Sequence, residues 1–259
     1  MGTPTKDIKA AVQSQFGDVA ANYSISAVHA KGADLDAMIQ AANLAGSEIV
    51  LDAGAGTGHT ALAFAPHTAH VTAVDFTQSM LDQGSQLAQE RGLTNVEFQL
   101  GDVEALPFDD ATFDLVVSRY SAHHWPHPQR ALHEFRRVLK PSGSLLLNDI
   151  VSYDDFICDT YLQTIEVLRD PSHVRDHTVA QWLGMFAEAG FVNGEVVYQG
   201  DVWIDFASWI ERMATPAANA QMIRTLFDGA PTEFRNVFKI EANHNFSFTG
   251  AVMRAQCGT

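Results

Sequence analysis

The chain has 259 residues, 46% hydrophobic and 18% charged, a composition that fits one large globular α/β domain. Its 31 acidic against 16 basic side chains leave a formal net charge of −15, which repels phosphate backbones and anionic membranes and counts against a nucleic-acid partner. Cys158 and Cys257 show no metal or disulfide spacing, the N-terminus lacks the apolar core of a signal peptide, and no apolar run is long enough to span a bilayer. A cytoplasmic protein is expected.

Residues 1–46 read as an interrupted helical cap that includes Tyr23 and His29. From residue 47 to 150 the pattern becomes regular. "EIVLDAG" is a buried strand, and "TGHTALAFAP" a helix stopped by Pro66. "HVTAVDF" is a second strand ending on Asp75. "TQSMLDQGSQLAQERG" is a helix with Thr77 at its N-cap and Gly92 just past its end. "VEFQLGD" is a third strand and "FDLVVSRY" a fourth. "PQRALHEFRRVLKPSG" is a helix ending in a turn at Pro141–Gly143, and "SLLLNDI" a fifth strand. Short apolar strands alternating with helices predict a parallel sheet covered on both faces. Beyond Ile150 the alternation breaks: 151–175 and 200–245 read as additions around the same sheet, and "NFSFTGAVMRA" (246–256) as the last strand. The whole chain, 1–259, is expected to form one domain.

The stretch "VLDAGAGTGHT" sets the functional question. Gly54, Gly56 and Gly58 alternate directly after a strand, where an open α/β sheet binds its ligand. Asp75, 21 residues after Gly54, is placed to accept from ribose hydroxyls, and Asp52 to orient the loop. The dinucleotide fingerprint needs its third glycine where His59 stands. The third strand ends in Gly101-Asp102, whose carboxylate suits an adenine amino group with the Val103 N–H beside it. No Tyr/Lys hydride-transfer pair follows the fourth strand.

"VLDAGAGTGHTALAF", "VTAVDFTQSML", "VEFQLGDVEALPFDDATFDLVVSRYSAHHW" and "RVLKPSGSLLLND" together resemble the successive motifs of class I S-adenosylmethionine (SAM)-dependent methyltransferases, most of all the branch that methylates ubiquinone and menaquinone precursors. The resemblance implies a Rossmann-like, doubly wound sheet of seven strands, mostly parallel with the last strand antiparallel, plus helical cap and lid additions. It implies SAM as cofactor and S-adenosylhomocysteine as product, with Gly54, Ala55 and Gly56 near the methionine part and Asp75 on the ribose. Phe76 and Met80 would flank the adenine, with Gly101, Asp102 and Val103 at its edge. Tyr23, Ser118 and Arg119 complete the expected cofactor set. The cap would close over SAM.

"SRYSAHHWPHP" follows the fourth strand, where the reactive methyl should face its acceptor. His124 or His123 is the candidate base or acceptor-orienting group. His29, Trp125, Phe156, Trp182, Trp203, Phe206 and Trp209 are candidate acceptor contacts, although aromatic stripes at helical spacing more often pack a core. "RDPSHVRDHT", with Arg169, His173 and Arg175, reads as a solvated loop. His123/His127 and His173/His177 lack a nearby carboxylate or cysteine in a ligand pattern, so no metal site is expected. The expected reaction is methyl transfer from SAM to a C, N or O atom of a small aromatic or apolar metabolite. The alternatives are a SAM-fold protein that binds without methylating, and an NAD(P)-dependent oxidoreductase. The expected partner is a small-molecule acceptor, with no nucleic acid and no membrane span; a homodimer is left open.

Overall fold

A computed structural model describes residues 7–24 and 31–258, with side chains for all of these except 18–24. Tyr23 lies on a described backbone, but its side chain and all of His29 lie outside the described residues. The strands are β1 (Ile49–Ala53), β2 (His70–Asp75), β3 (Val96–Leu100), β4 (Phe113–Arg119), β5 (Leu139–Ile150), β6 (Phe191–Ile204) and β7 (Phe246–Cys257). They form one sheet in the order β3-β2-β1-β4-β5-β7-β6. Only β7 runs antiparallel, to both β5 and β6. The strand order reverses between β1 and β4, which opens a crevice at their carboxyl ends.

The helices are α1 (Ile8–Ser24), α2 (Ala33–Ala41), α3 (His59–Phe64), α4 (Gln78–Glu90), α5 (Pro128–Val138), α6 (Phe156–Arg169), α7 (Val179–Glu188), α8 (Phe206–Arg212), α9 (Ala217–Asp228) and α10 (Thr232–Val237). The central strands are apolar on both faces because helices cover both. Val50, Leu51, Val71, Val116 and Val117 are completely buried, and each such side chain contributes about 1.5–3 kcal/mol. A second core lies among α6, α8, α9 and α10, where Phe206, Trp209, Phe227, Phe234, Phe238, Phe246 and Phe248 pack together. The additions after β5 therefore have their own apolar centre and share β7 with the main sheet.

Two local expectations are revised. Leu139–Gly143 belongs to β5, not to a helix end and turn: Phe113 pairs with Leu139, and the register shifts before Leu115 meets Ser144. Thr77 stands at the N-cap of α4, but its side chain caps nothing; its backbone N–H instead donates to Asp75 Oδ1. Gly92 takes φ +66° just past α4, the left-handed conformation that ends a helix.

Candidate active site

The loop after β1 is shaped by backbone constraints. Gly54, Gly56 and Gly58 all have positive φ, +72°, +53° and +74°. A Cβ on Gly54 would lie 2.1 Å from Ser121 Oγ, so this position needs glycine for conformation and for space. The Asp52 carboxylate, completely buried, accepts from the Ala61 N–H in the first turn of α3. Burial raises Asp52 to about 7. Asp75 accepts from Gly56 N through Oδ2 and from Thr77 N through Oδ1, and so clamps the loop from β2. Burial raises its pKa against the pull of those two donors.

A cavity of about 930 Å³, measured out to its open mouth, lies over this loop. Its floor is Gly54, Ala55 and Gly56, with Asp75, Phe76 and Met80 on one side and Asp102 and Val103 on another. Arg119, His124 and Trp125 also reach it. Helix α1 roofs it: Lys9 Nζ donates to Asp102 Oδ2 at 2.6 Å and Glu104 Oε2 at 2.8 Å, and Gln13 Nε2 donates to the Phe76 carbonyl. Burial lowers Lys9, and the two carboxylates outweigh it and raise the ammonium above its usual range. Lys9 and Glu104 were not singled out in the sequence, because nothing local ties residue 9 to residue 102. Arg119 is buried and donates from Nε to Asp34 Oδ2, which also accepts from Asn148.

Two expected cofactor residues do not line this cavity. Ser118 is buried in β4 and donates to the Ala53 carbonyl, so it couples β4 to β1. Gly101 stands behind the wall, where a Cβ would press on Val74 and Pro107.

A second cavity of about 590 Å³ adjoins the first, with Phe16, Tyr120 and His124 on the wall of both. Its apolar lining includes Ile150, Ile204, Trp209 and Phe248; its polar lining includes His123, Glu166, Arg169 and Asp176. Of the expected acceptor contacts, Trp209 lines this cavity and Trp125 the first. Phe206 and Trp182 are core residues, the latter packed on Phe186 and Trp125. Phe156 is 86% exposed, and Trp203, 54% exposed, donates to Glu241.

The segment 169–176, expected as a solvated loop, is buried. Asp170, Ser172, His173 and Asp176 are all at most 7% exposed. The segment meets the turn after β4, where Val174 N and Arg175 N donate to the His123 carbonyl. His123 Nδ1 lies 2.7 Å from Asp149 Oδ1, and its backbone N–H donates to Asp149 Oδ2. Burial pushes the His123 imidazole down, but Asp149, with Asp176 and Glu166 behind it, outweighs this and raises it to about 9. His124 sits 4.3 Å away, ring to ring. Burial and then the His123 charge lower it to about 4. Its Nδ1 faces the Ser172 carbonyl at 3.1 Å. A carbonyl only accepts, so Nδ1 carries the proton and Nε2 is left as the acceptor.

These surroundings fit a nucleoside carrying a positive charge. Asp75 and Asp102 offer acceptors for hydroxyl and amino groups, Phe76, Met80 and Val103 offer apolar walls, and the loop leaves no third-glycine phosphate cradle, because His59 begins α3 there.

Residues 51–147 match the family model described as a methyltransferase domain. Over 233 residues the chain is 40% identical to a Bacillus subtilis methyltransferase, YcgJ, covering 90% of this chain and 92% of that one. The crystal structure of a Bacillus halodurans protein assigned to the methyltransferases superposes with a TM-score of 0.83 at 35% identity, over 88% of this chain and all of that one. A Brucella anthropi ubiquinone/menaquinone biosynthesis C-methyltransferase, UbiE, is 41% identical over 100 residues, covering 37% of this chain and 38% of its own.

Proposed function

We propose that this chain, which belongs to the class I SAM-dependent methyltransferases, moves the methyl group of SAM to a small acceptor seated in the second cavity. The observation that carries the reading is the shared wall: Phe16, Tyr120 and His124 border both cavities, so a cofactor in one and an acceptor in the other meet there.

SAM supplies an electrophilic methyl on a sulfonium. The chain's own contribution is alignment and exclusion of water. Asp75 holds the ribose hydroxyls while it fixes the loop through Gly56. Asp102 and the Val103 N–H meet the adenine edge, with Phe76 and Met80 on its faces. Gly54 and Gly56 let the backbone approach the methionine part. α1, latched through Lys9, shuts out solvent. His124 Nε2, left as an acceptor by the Nδ1–Ser172 contact, orients a proton-bearing nucleophile at the common wall by accepting a hydrogen bond from it. The apolar side chains Ile150, Ile204, Trp209 and Phe248 favour an acceptor with an aromatic or aliphatic body.

The test is incubation with methyl-labelled SAM and a panel of phenols, quinones and heteroaromatic amines. The reading expects label on a low-molecular-mass product and equimolar S-adenosylhomocysteine. Label confined to added RNA or protein overturns the small-acceptor reading.

A further inference from the structure

The second cavity carries side chains that alignment and water exclusion do not require. His123, Asp149 and Asp176 each bring one metal-competent atom within 4.8 Å of the other two. They come from three separate places: the turn after β4, the end of β5, and the segment between α6 and α7. The Asp149 and Asp176 side chains are 1% and 2% exposed. Asp149 is well supplied with donors, from His123 and Ile150 N. Asp176 is not: its Oδ2 is buried and accepts no hydrogen bond among the described residues. The nitrogen facing it, His173 Nε2, is 3.7 Å away and pairs with Gln163 Oε1 instead. Glu166, on the same wall, faces the Arg169 guanidinium at 3.7 Å. An ionised carboxylate oxygen buried without a donor costs several kcal/mol, which a cation seated beside it offsets in place of a proton.

We propose that His123, Asp149 and Asp176, with Glu166 beside them, bind a divalent first-row transition cation facing the second cavity. One imidazole nitrogen and carboxylate oxygens are the donor set of Zn²⁺, Mn²⁺ or Fe²⁺. Ligands at about 2.1 Å from one ion stand up to about 4.2 Å apart, so small side-chain rotations close the 4.8 Å span. Binding at the His123 nitrogen that now shares a proton with Asp149 releases that proton to solvent. Three protein ligands leave coordination positions open toward the cavity, next to His124 on the common wall, where an acceptor oxygen or nitrogen can bind. The site spans sequence separations that no local ligand spacing reveals. It stands on its own geometry and does not depend on the cofactor reading.

The experiment is calorimetric titration of the whole chain, freed of metal with a chelator, with MnCl₂ and then ZnCl₂, without SAM. The expected result is one ion per chain with micromolar affinity, weakened at least tenfold by Asp176→Asn and unchanged by Asp110→Asn, an exposed acid. Mn²⁺ should also broaden the imidazole NMR signals of His123 and His124 in the wild-type chain before any others. That second readout decides the matter if Asp176→Asn fails to fold. No specific binding, equal binding by the well-folded Asp176→Asn variant, or broadening confined to surface acids overturns the proposal.

Discussion

Along the carboxyl ends of β1 and β2 the chain meets its first cavity largely with backbone: three glycines at positive φ, held by Asp52 and Asp75. Past β4 it meets the second cavity with side chains gathered from α1, the turn at 120–124, α6, the segment 169–176, α8, and the strands β5, β6 and β7. The glycine loop on the floor of the first cavity is a conformational device, specified within one β-α-β stretch. The second is a tertiary assembly, in which each polar group depends on distant partners for its charge state. Substitutions should therefore act differently on the two.

The largest effect is expected at Gly54. Gly54→Ala places a methyl 2.1 Å from Ser121 Oγ at a φ that L residues reach at a cost of about 1–2 kcal/mol. Calorimetry should show S-adenosylhomocysteine affinity falling about 100-fold; a change within threefold would show that the loop does not approach the ligand.

Asp75→Ala removes the proposed ribose acceptor and frees the Gly56 and Thr77 N–H groups. It should lower the same affinity at least about tenfold and cost about 1–3 kcal/mol of stability. A folded variant with unaltered affinity would remove Asp75 from the ligand site.

The two cavities are separated most sharply by His124. His124→Ala should cut turnover of an identified acceptor about 10- to 100-fold while S-adenosylhomocysteine affinity stays within about threefold. If affinity collapses while the turnover of bound substrate survives, His124 belongs to the first cavity alone.

The smallest effect concerns stability. Burial raises Asp52 from 3.8 to about 7, so the stability linked to its protonated form is complete below about pH 4 and lost as pH rises through 7. Asp52→Asn keeps an oxygen for the Ala61 N–H and removes this dependence. Its melting temperature should gain on the wild type between pH 4 and pH 8; a constant difference across that range would contradict the assignment.

The same contrast explains what the sequence discloses. The glycine loop, Asp75 and Asp102 are legible because a strand, a turn with positive φ and an acid at fixed spacing are local features. The antiparallel β7 was legible through the family resemblance. By contrast, "RDPSHVRDHT" looks like a solvated loop because it is polar, yet the turn at His123 and helix α6, through Gln163, bury it. Phe206 and Trp209 lie three residues apart and both turn inward, but only Trp209 reaches the cavity. Pro141–Gly143 looks like a turn, and these residues form the irregularity of β5 between the Phe113–Leu139 and Leu115–Ser144 pairs, which has no local signature. The grouping of His123, Asp149 and Asp176 could not be found from spacing, since 26 residues or more separate each from the next.

A first cavity that holds SAM and opens onto an acceptor site must bind SAM and its demethylated product in preference to nicotinamide dinucleotides. The most direct measurement is calorimetric titration of the purified chain with SAM, S-adenosylhomocysteine, NAD(H) and NADP(H). Micromolar binding of the first two, weakened at least about tenfold in Asp75→Ala, and no binding of the nicotinamides are expected. Binding of a nicotinamide dinucleotide in place of SAM would contradict that expectation and require the glycine loop, Asp75 and Asp102 to be reassigned.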